Sequence, residues 1–206
     1  MKSDWDYIGG HDPIFAPQSK EDSDIFNRFY LAGYEFVQVW RGLVYHMTCR
    51  GSRFKDGAIR NPDGQVFMKN RESEEWLEQN QKSTREFIRK WGHFVKHDTM
   101  MKPIVPPKYN VGFVVENCTS QMLEMLEPWC DNIYGDWVGH KGYGVNKYID
   151  EERTSFDLKK RIHSDHMNPS DKVVVRFDCD KLDNEQFQIV QNLSEILQDS
   201  GQIGVS

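Results

Sequence analysis

Cysteine is scarce in this chain: four in 206 residues, at positions 49, 118, 130 and 179. No two form a C-x-x-C pair, which removes the common zinc-site spacing, and four thiols so far apart do not make the disulfide framework of a small secreted domain. Reduced, partly buried thiols in a reducing compartment are expected. No apolar run approaches the roughly 18 residues that mark a membrane-spanning helix. No charged-then-apolar leader opens the chain either. These absences predict a soluble, cytoplasmic protein without a transmembrane segment. A basic excess is also missing: 26 Lys and Arg stand against 32 Asp and Glu, a formal net charge of −6. Neither nucleic acid nor a membrane surface is expected as a partner. Basic residues gather only at 50–55 and 159–161.

What is present is enough apolar material for a core: 38% hydrophobic and 13% aromatic residues, in a chain long enough for one large domain or two small ones. Residues 19–32 show Ile25, Phe26, Phe29 and Tyr30 at helical spacing, with Gly33 where a left-handed cap belongs. "EFVQVW" alternates like a strand, "RG" turns the chain, and "LVYHM" reads as a second short strand. Gly, Asn, Asp and Pro make 55–65 an exposed loop. A long helix is expected over 73–95, capped by Ser73, with Glu74 and Glu75 favoured at its start. Its polar middle, "EQNQKSTRE", predicts a solvated bridge. "KPIVPPK" at 102–108 is a candidate boundary. Beyond it, "YNVGFVVEN" and "DKVVVRFD" read as strands. Helices follow at "TSQMLEMLEPW", with Met122, Leu123, Leu126 and Trp129 on one side, and at 183–198, with Phe187, Val190, Leu193 and Leu197. The order strand, Cys, acidic-capped helix occurs twice, a hint of a repeat. "GQIGVS" begins a strand and stops, which suggests a clipped C-terminus.

The chemistry-bearing residues crowd the first quarter of the chain. Gly9-Gly10-His11-Asp12 makes a turn. Glu21-Asp22-Ser23-Asp24-Ile25 opens a helix, Arg28 follows one turn after Asp24, and Gly33-Tyr34 ends it. Val44-Tyr45-His46 then closes a strand ahead of the cationic loop Arg50-Gly51-Ser52-Arg53. In this order the pieces resemble the acceptor half of family-2 nucleotide-sugar glycosyltransferases of the GT-A fold. The resemblance covers about residues 5–54; His11 and Pro13 depart from the family's usual aromatic and acidic residues. It implies an α/β architecture: a partial GT-A segment over 1–70, a connecting helix over 71–101, and a smaller α/β or ferredoxin-like α+β extension over 108–206. It further implies a transferase moving a sugar from a nucleotide-sugar donor to a carbohydrate-type hydroxyl acceptor. A divalent metal, Mn or Mg, would be held in the intact enzyme with the help of His46. Asp22, then Glu21, would be the catalytic base; Gly9, Gly10, Asp12, Asp24, Arg28, Arg50, Ser52 and Arg53 would bind substrate.

Each of these residues has a second reading from the sequence itself. Ser19-x-x-Asp22 is a capping-box pattern, so Asp22 could serve only its own helix. Asp24 and Arg28, one turn apart, could simply pair. Asp12 could stabilise the turn, and His46 could be an ordinary strand-end histidine. In the resembling family a nucleotide-binding half carrying a metal-gripping DxD precedes the Gly-Gly turn, whereas about eight residues do so here; a longer parent chain is expected, and activity of this chain alone is doubtful. Ile25, Phe29, Val37 and Val44 would then be covered by the C-terminal region or by a second copy in a homo-oligomer, or be left exposed. Asp178-x-Asp180 falls about 150 residues too late for that motif and reads as a turn and cap. His93 and His97 have the i, i+4 spacing of zinc ligands but no H-E-x-x-H glutamate; with His163 and His166 they outline a weaker alternative, a metal hydrolase. Trp91, Trp129 and Trp137 could stack on sugars but read more naturally as core. The main alternative to an enzyme is a non-catalytic binding or assembly module with a relic transferase segment.

Overall fold

The computed structural model describes residues 2–17, 19–37, 39–42, 59–60, 66–67, 74–137, 140–164 and 169–201. The N-terminal part contains α1 (Lys2–Tyr7), a 3-10 turn at Pro13–Phe15 and α2 (Glu21–Leu31). Next come a two-residue antiparallel ribbon of β1 (Ile59–Arg60) and β2 (Val66–Phe67), and the long helix α3 (Glu74–Trp91). The second part runs β3 (Val111–Glu116), α4 (Ser120–Leu126), β4 (Asn132–Gly135), α5 (His140–Glu151), α6 (Leu158–Arg161), β5 (Ile162–His163), β6 (Val173–Asp178), α7 (Asn184–Gln191) and α8 (Leu193–Ser200).

Strands β3 to β6 form one sheet in the order β5-β4-β3-β6, parallel at every pairing. A parallel sheet selects α/β over the ferredoxin-like alternative for this region. The near-continuous apolar run "VGFVV" is what a strand buried on both faces requires, and Val111 to Val115 are all buried. Val111, Phe113, Val115, Ile133 and the partly buried Val173, Val175 and Phe177 pack in one core with Leu123 and Leu126 of α4, Val145 and Tyr148 of α5, Val190 of α7 and Ile88 of α3. Trp129 and Trp137 belong to this core, as the sequence suggests, whereas Trp91 is half-buried. The repeated strand-Cys-helix order corresponds to adjacent strands β3 and β6, followed by the buried Cys118 and Cys179. The caps differ: Thr119 starts α4, and Asp183 forms a capping box with Gln186 on α7. Asp178 accepts from the Asp180 N–H, so D-x-D is a turn, as expected.

The opposite face carries a polar clasp. Asp171 accepts from Asn110 Nδ2 (3.0 Å), Asn132 Nδ2 (2.6 Å) and the Tyr134 hydroxyl (2.8 Å), directly over Gly112. A Cβ at Gly112 would lie 2.7 Å from Asp171 Cγ. Because three hydrogen bonds hold that carboxylate, it cannot swing aside. Gly112→Ala should therefore cost about 1–3 kcal/mol, read as a lower urea midpoint; an unchanged midpoint would show that the clasp yields.

Several expected elements differ. The strand expected at "EFVQVW" is absent: residues 34–37 and 39 have no regular structure, and a 3-10 turn occupies Trp40–Gly42. No strand partner lies beside them among the described residues, and Phe36 instead packs edge-on against Phe26 at 5.4 Å. "LVYHM" lies outside the described residues, as do Ser73, Cys49 and His166. The loop expected over 55–65 contains β1 at 59–60. The helix expected to reach residue 95 stops at Trp91, because Gly92 turns left-handed with φ of 79°. The final helix divides in two at Asn192.

The polar middle of α3 is only partly solvated: Glu78 and Gln81 are exposed, but its inward face and the turn that follows are buried. Ser83, Glu86 and Arg89 are at most 1% exposed. Arg89 reaches Glu86 (2.6 Å), Glu127 (2.7 Å), Glu152 (2.9 Å) and the Tyr148 hydroxyl (2.9 Å). Arg161 adds 2.7 Å to Glu127, and Arg85 binds both oxygens of Glu152 at 2.8 Å. Three guanidinium groups thus neutralise three carboxylates, which is how charge survives burial. Through this network and Phe87, α3 joins the sheet to the N-terminal turn, where Phe15 meets Phe87 at 6.3 Å.

Past the helix end, His93 is 1% exposed with Nδ1 against the Phe94 carbonyl, while His97 is exposed. The two share no helix, so their zinc-like spacing does not produce a paired site. Burial pushes the His93 pKa down; the Phe94 carbonyl opposes this, Lys96 adds to it and Glu195 opposes it. The unfolded chain therefore takes a proton near pH 6.5 and the folded chain only lower. Stability is full above pH 6.5 and falls below it, with a slope of at most about 1.4 kcal/mol per pH unit. His93→Gln should flatten this dependence between pH 7.5 and 5.5 in thermal melts; identical slopes for both proteins would contradict it.

Candidate functional site

Helix α2 organises the residues singled out from the sequence. The two residues before it, Ser19 and Lys20, both have positive φ, 81° and 73°. Non-glycine residues held there are costly, and such strain gathers at functional positions. Lys20 is the N-cap and gives no side-chain cap. Ser19 Oγ bonds instead to Asn80 Oδ1 of α3 at 2.8 Å. The capping box readable at Ser19-x-x-Asp22 is therefore not formed. Glu21, Asp22 and Asp24 fill the first turn, where the helix dipole favours carboxylates.

The sequence-identified residues separate onto two sides of α2. Asp24 is wholly buried: Oδ2 accepts from Arg28 (2.8 Å), and Oδ1 from Lys90 (2.6 Å) and the Trp91 indole (2.9 Å). Arg28 reaches back to the carbonyls of Ile8 and, at 2.6 Å, of Gly10. Gly9 and Gly10 turn with φ of 85° and 66°, and a Cβ at Gly10 would meet the Trp5 indole nitrogen at 3.0 Å. Asp12 caps the 3-10 turn through the Ile14 N–H and pairs with Lys90 at 2.6 Å. Burial opposes the Asp12 charge, but Lys90's hydrogen bond, the Ile14 N–H and nearby Arg28 outweigh it, so its pKa lies below the ordinary carboxylate range. Tyr34, after the left-handed Gly33, donates to Asp4 at 3.0 Å. Gly9, Gly10, Asp12, Asp24 and Arg28 thus form a clamp that docks the turn and α2 onto α3, with their polar groups consumed internally. Of the apolar positions needing cover, Ile25 is buried, Phe29 half-buried and Val37 75% exposed; Val44 is outside the described residues.

Asp22 is exposed and points elsewhere. Two residues from Asp24, it lies about 200° around the helix from the clamp. It lines a cleft of about 510 Å³ with Ser23, Phe26 and Asn27 of α2, Phe36 and Val37 beyond it, and the segment from Val95 to Pro103 as the opposite wall. That wall is a tight loop: the Asp98 carboxylate accepts from the N–H groups of Met100 (2.8 Å) and Lys102 (2.9 Å), and Met101 has φ of 62°. Lys96 is tethered to Glu195 and Asn192. Asn27 is 4% exposed, and its Nδ2 meets no hydrogen-bond partner among the described residues. Glu21 Oε2, likewise buried, has none.

His46, Arg50, Ser52 and Arg53 lie outside the described residues. Among the described residues no group of three His, Cys, Asp or Glu converges on a metal position. No helix among them is long and apolar enough to cross a membrane. Asn27 and the 95–103 wall were missed in the sequence reading; adjacent Met100 and Met101 ahead of a proline-rich stretch were the available signal. The chain matches no protein-family model, no curated protein and no solved structure.

Proposed function

We propose that the N-terminal segment is the acceptor side of a metal-assisted sugar transferase using a nucleotide-sugar donor, with Asp22 as base. The observation that supports this reading is the position of Asp22: released from helix capping, held behind a strained Ser19-Lys20 turn, and lining a cleft of ligand size. In the proposed step, the acceptor hydroxyl oxygen bonds to the anomeric carbon while its proton passes to an Asp22 carboxylate oxygen. The bond from that carbon to the nucleotide diphosphate breaks, and the diphosphate leaves with the electron pair. Asp24 and Arg28 act here as positioning residues: they fix α2 against the turn and so fix where Asp22 stands.

A second reading, binding without chemistry, is favoured by the internal use of Asp12, Asp24 and Arg28. The two are separated by offering the protein labelled nucleotide-sugars, manganese and hydroxyl acceptors. Transfer of label to an acceptor supports the enzyme; acceptor binding with no transfer from any donor supports the binding module.

A further inference from the structure

The cleft beside Asp22 is mostly hydrocarbon. On one side Phe26 and Phe36 meet edge-to-face at 5.4 Å, and Val37 stands 75% exposed beside them. On the other, Met100 and Met101 are 57% and 61% exposed, next to the buried Pro103. Methionine beside aromatic rings makes an adaptable apolar wall. The volume, about 510 Å³, falls in the range of small-molecule sites. Polar groups line it at Asp22, Ser23 and Asn27 on α2 and at Lys96 and His97 on the opposite wall, where Lys96 is already held by Glu195. The Asn27 Nδ2 donor is the informative group: a buried N–H without a partner is costly, Nδ2 has none among the described residues, and Asn27 is one of the cleft's lining residues, so a ligand oxygen that reached Nδ2 would satisfy it.

A bare polyol suits this site poorly, because most of its hydroxyls would face hydrocarbon with nothing to bond. We infer that the cleft takes an amphipathic hydroxylated molecule, with a polar end at Asp22 and Asn27 and an aromatic or alkyl body against Phe26, Phe36, Met100 and Met101. This inference rests on the acceptor-side reading above and adds the acceptor's class: a glycoside or alcohol carrying an apolar group, rather than a free sugar. Its oxygen accepts from Asn27 Nδ2, and its reacting hydroxyl faces Asp22.

The test titrates the full 206-residue chain with phenyl β-D-glucopyranoside and with D-glucose, read by saturation-transfer NMR and calorimetry. Phenyl glucoside should bind saturably and about tenfold or more tighter than glucose. Asn27→Leu, which removes the donor, and Met101→Lys, which charges an exposed wall position with little risk to folding, should each weaken it by about tenfold or more. Absent saturable binding, equal affinity for the two probes, or indifference to both substitutions overturns the inference. The outcomes separate from those for catalysis. Discriminating binding with normal transfer by Asp22→Asn leaves the cleft's selectivity standing and removes the base. Lost transfer by Asp22→Asn without discrimination leaves the base standing and removes the selectivity.

Discussion

Arg89→Met is expected to lower unfolding stability by about 3–5 kcal/mol, the usual cost of removing one partner from a buried charge network. Arg89 is 1% exposed and touches three carboxylates and the Tyr148 hydroxyl. Without it Glu86 loses its close cation, and Glu127, wholly buried, keeps only Arg161 and the Tyr148 hydroxyl. A stranded carboxylate cannot be rehydrated at the junction of α3, α5 and the turn after α4. A typical domain has only about 5–15 kcal/mol in hand, so the variant should be partly unfolded near body temperature. Adding Glu127→Gln to Arg89→Met should recover part of the loss, because the second change removes a charge the first one strands. Urea unfolding followed by far-ultraviolet circular dichroism gives the numbers. A loss below about 1 kcal/mol, the scale of an exposed ion pair, would mean that the network is hydrated.

Asp22→Asn should leave folding intact and remove transfer. The side chain is exposed and provides no helix cap, so its amide should change the melting temperature little. General-base catalysis contributes roughly 10²–10⁴-fold, and an amide cannot accept the proton; the loss should appear in kcat with KM nearly unchanged. Asp24→Asn, two residues on, should behave oppositely. It removes the charge that Arg28 and Lys90 share, so stability should fall, and any loss of rate should follow from displacement of α2.

Residues with strong local signals were legible. Gly33, Gly-Gly at 9–10 and the Asp183 start of α7 depend on backbone geometry within a few residues, and each is found as expected. The apolar run of β3 also identified itself, because a parallel strand buried on both faces has little polar content, and β6, half-buried at the sheet edge, showed through its run of β-branched residues. The clamp was half-legible: the Asp24–Arg28 pair follows from helical spacing, but its bonds to Lys90 and Trp91 span more than sixty residues, and no local pattern announces them. The same applies to α3. Its polar middle lies at the surface in the sequence reading, yet Ser83 and Glu86 on its inner face and Arg89 beyond it are buried, because the carboxylates that meet Arg85 and Arg89, Glu127 and Glu152, arrive from separate elements. Strands β4 and β5 are too short, at four and two residues, to produce a period. The cleft was invisible for a similar reason: its far wall is a loop about seventy residues from α2, shaped by Asp98 and a left-handed Met101.

The claim on which the functional reading depends is that Asp22 serves a ligand while Asp24 serves the fold. Purified side by side, Asp22→Asn and Asp24→Asn are to be measured for both melting temperature and sugar transfer. The expected result is a wild-type melting temperature with at least about a hundredfold loss of kcat for Asp22→Asn, and a lowered melting temperature for Asp24→Asn. An Asp22→Asn protein that transfers sugar at the wild-type rate, or melts far below the wild type, would contradict it.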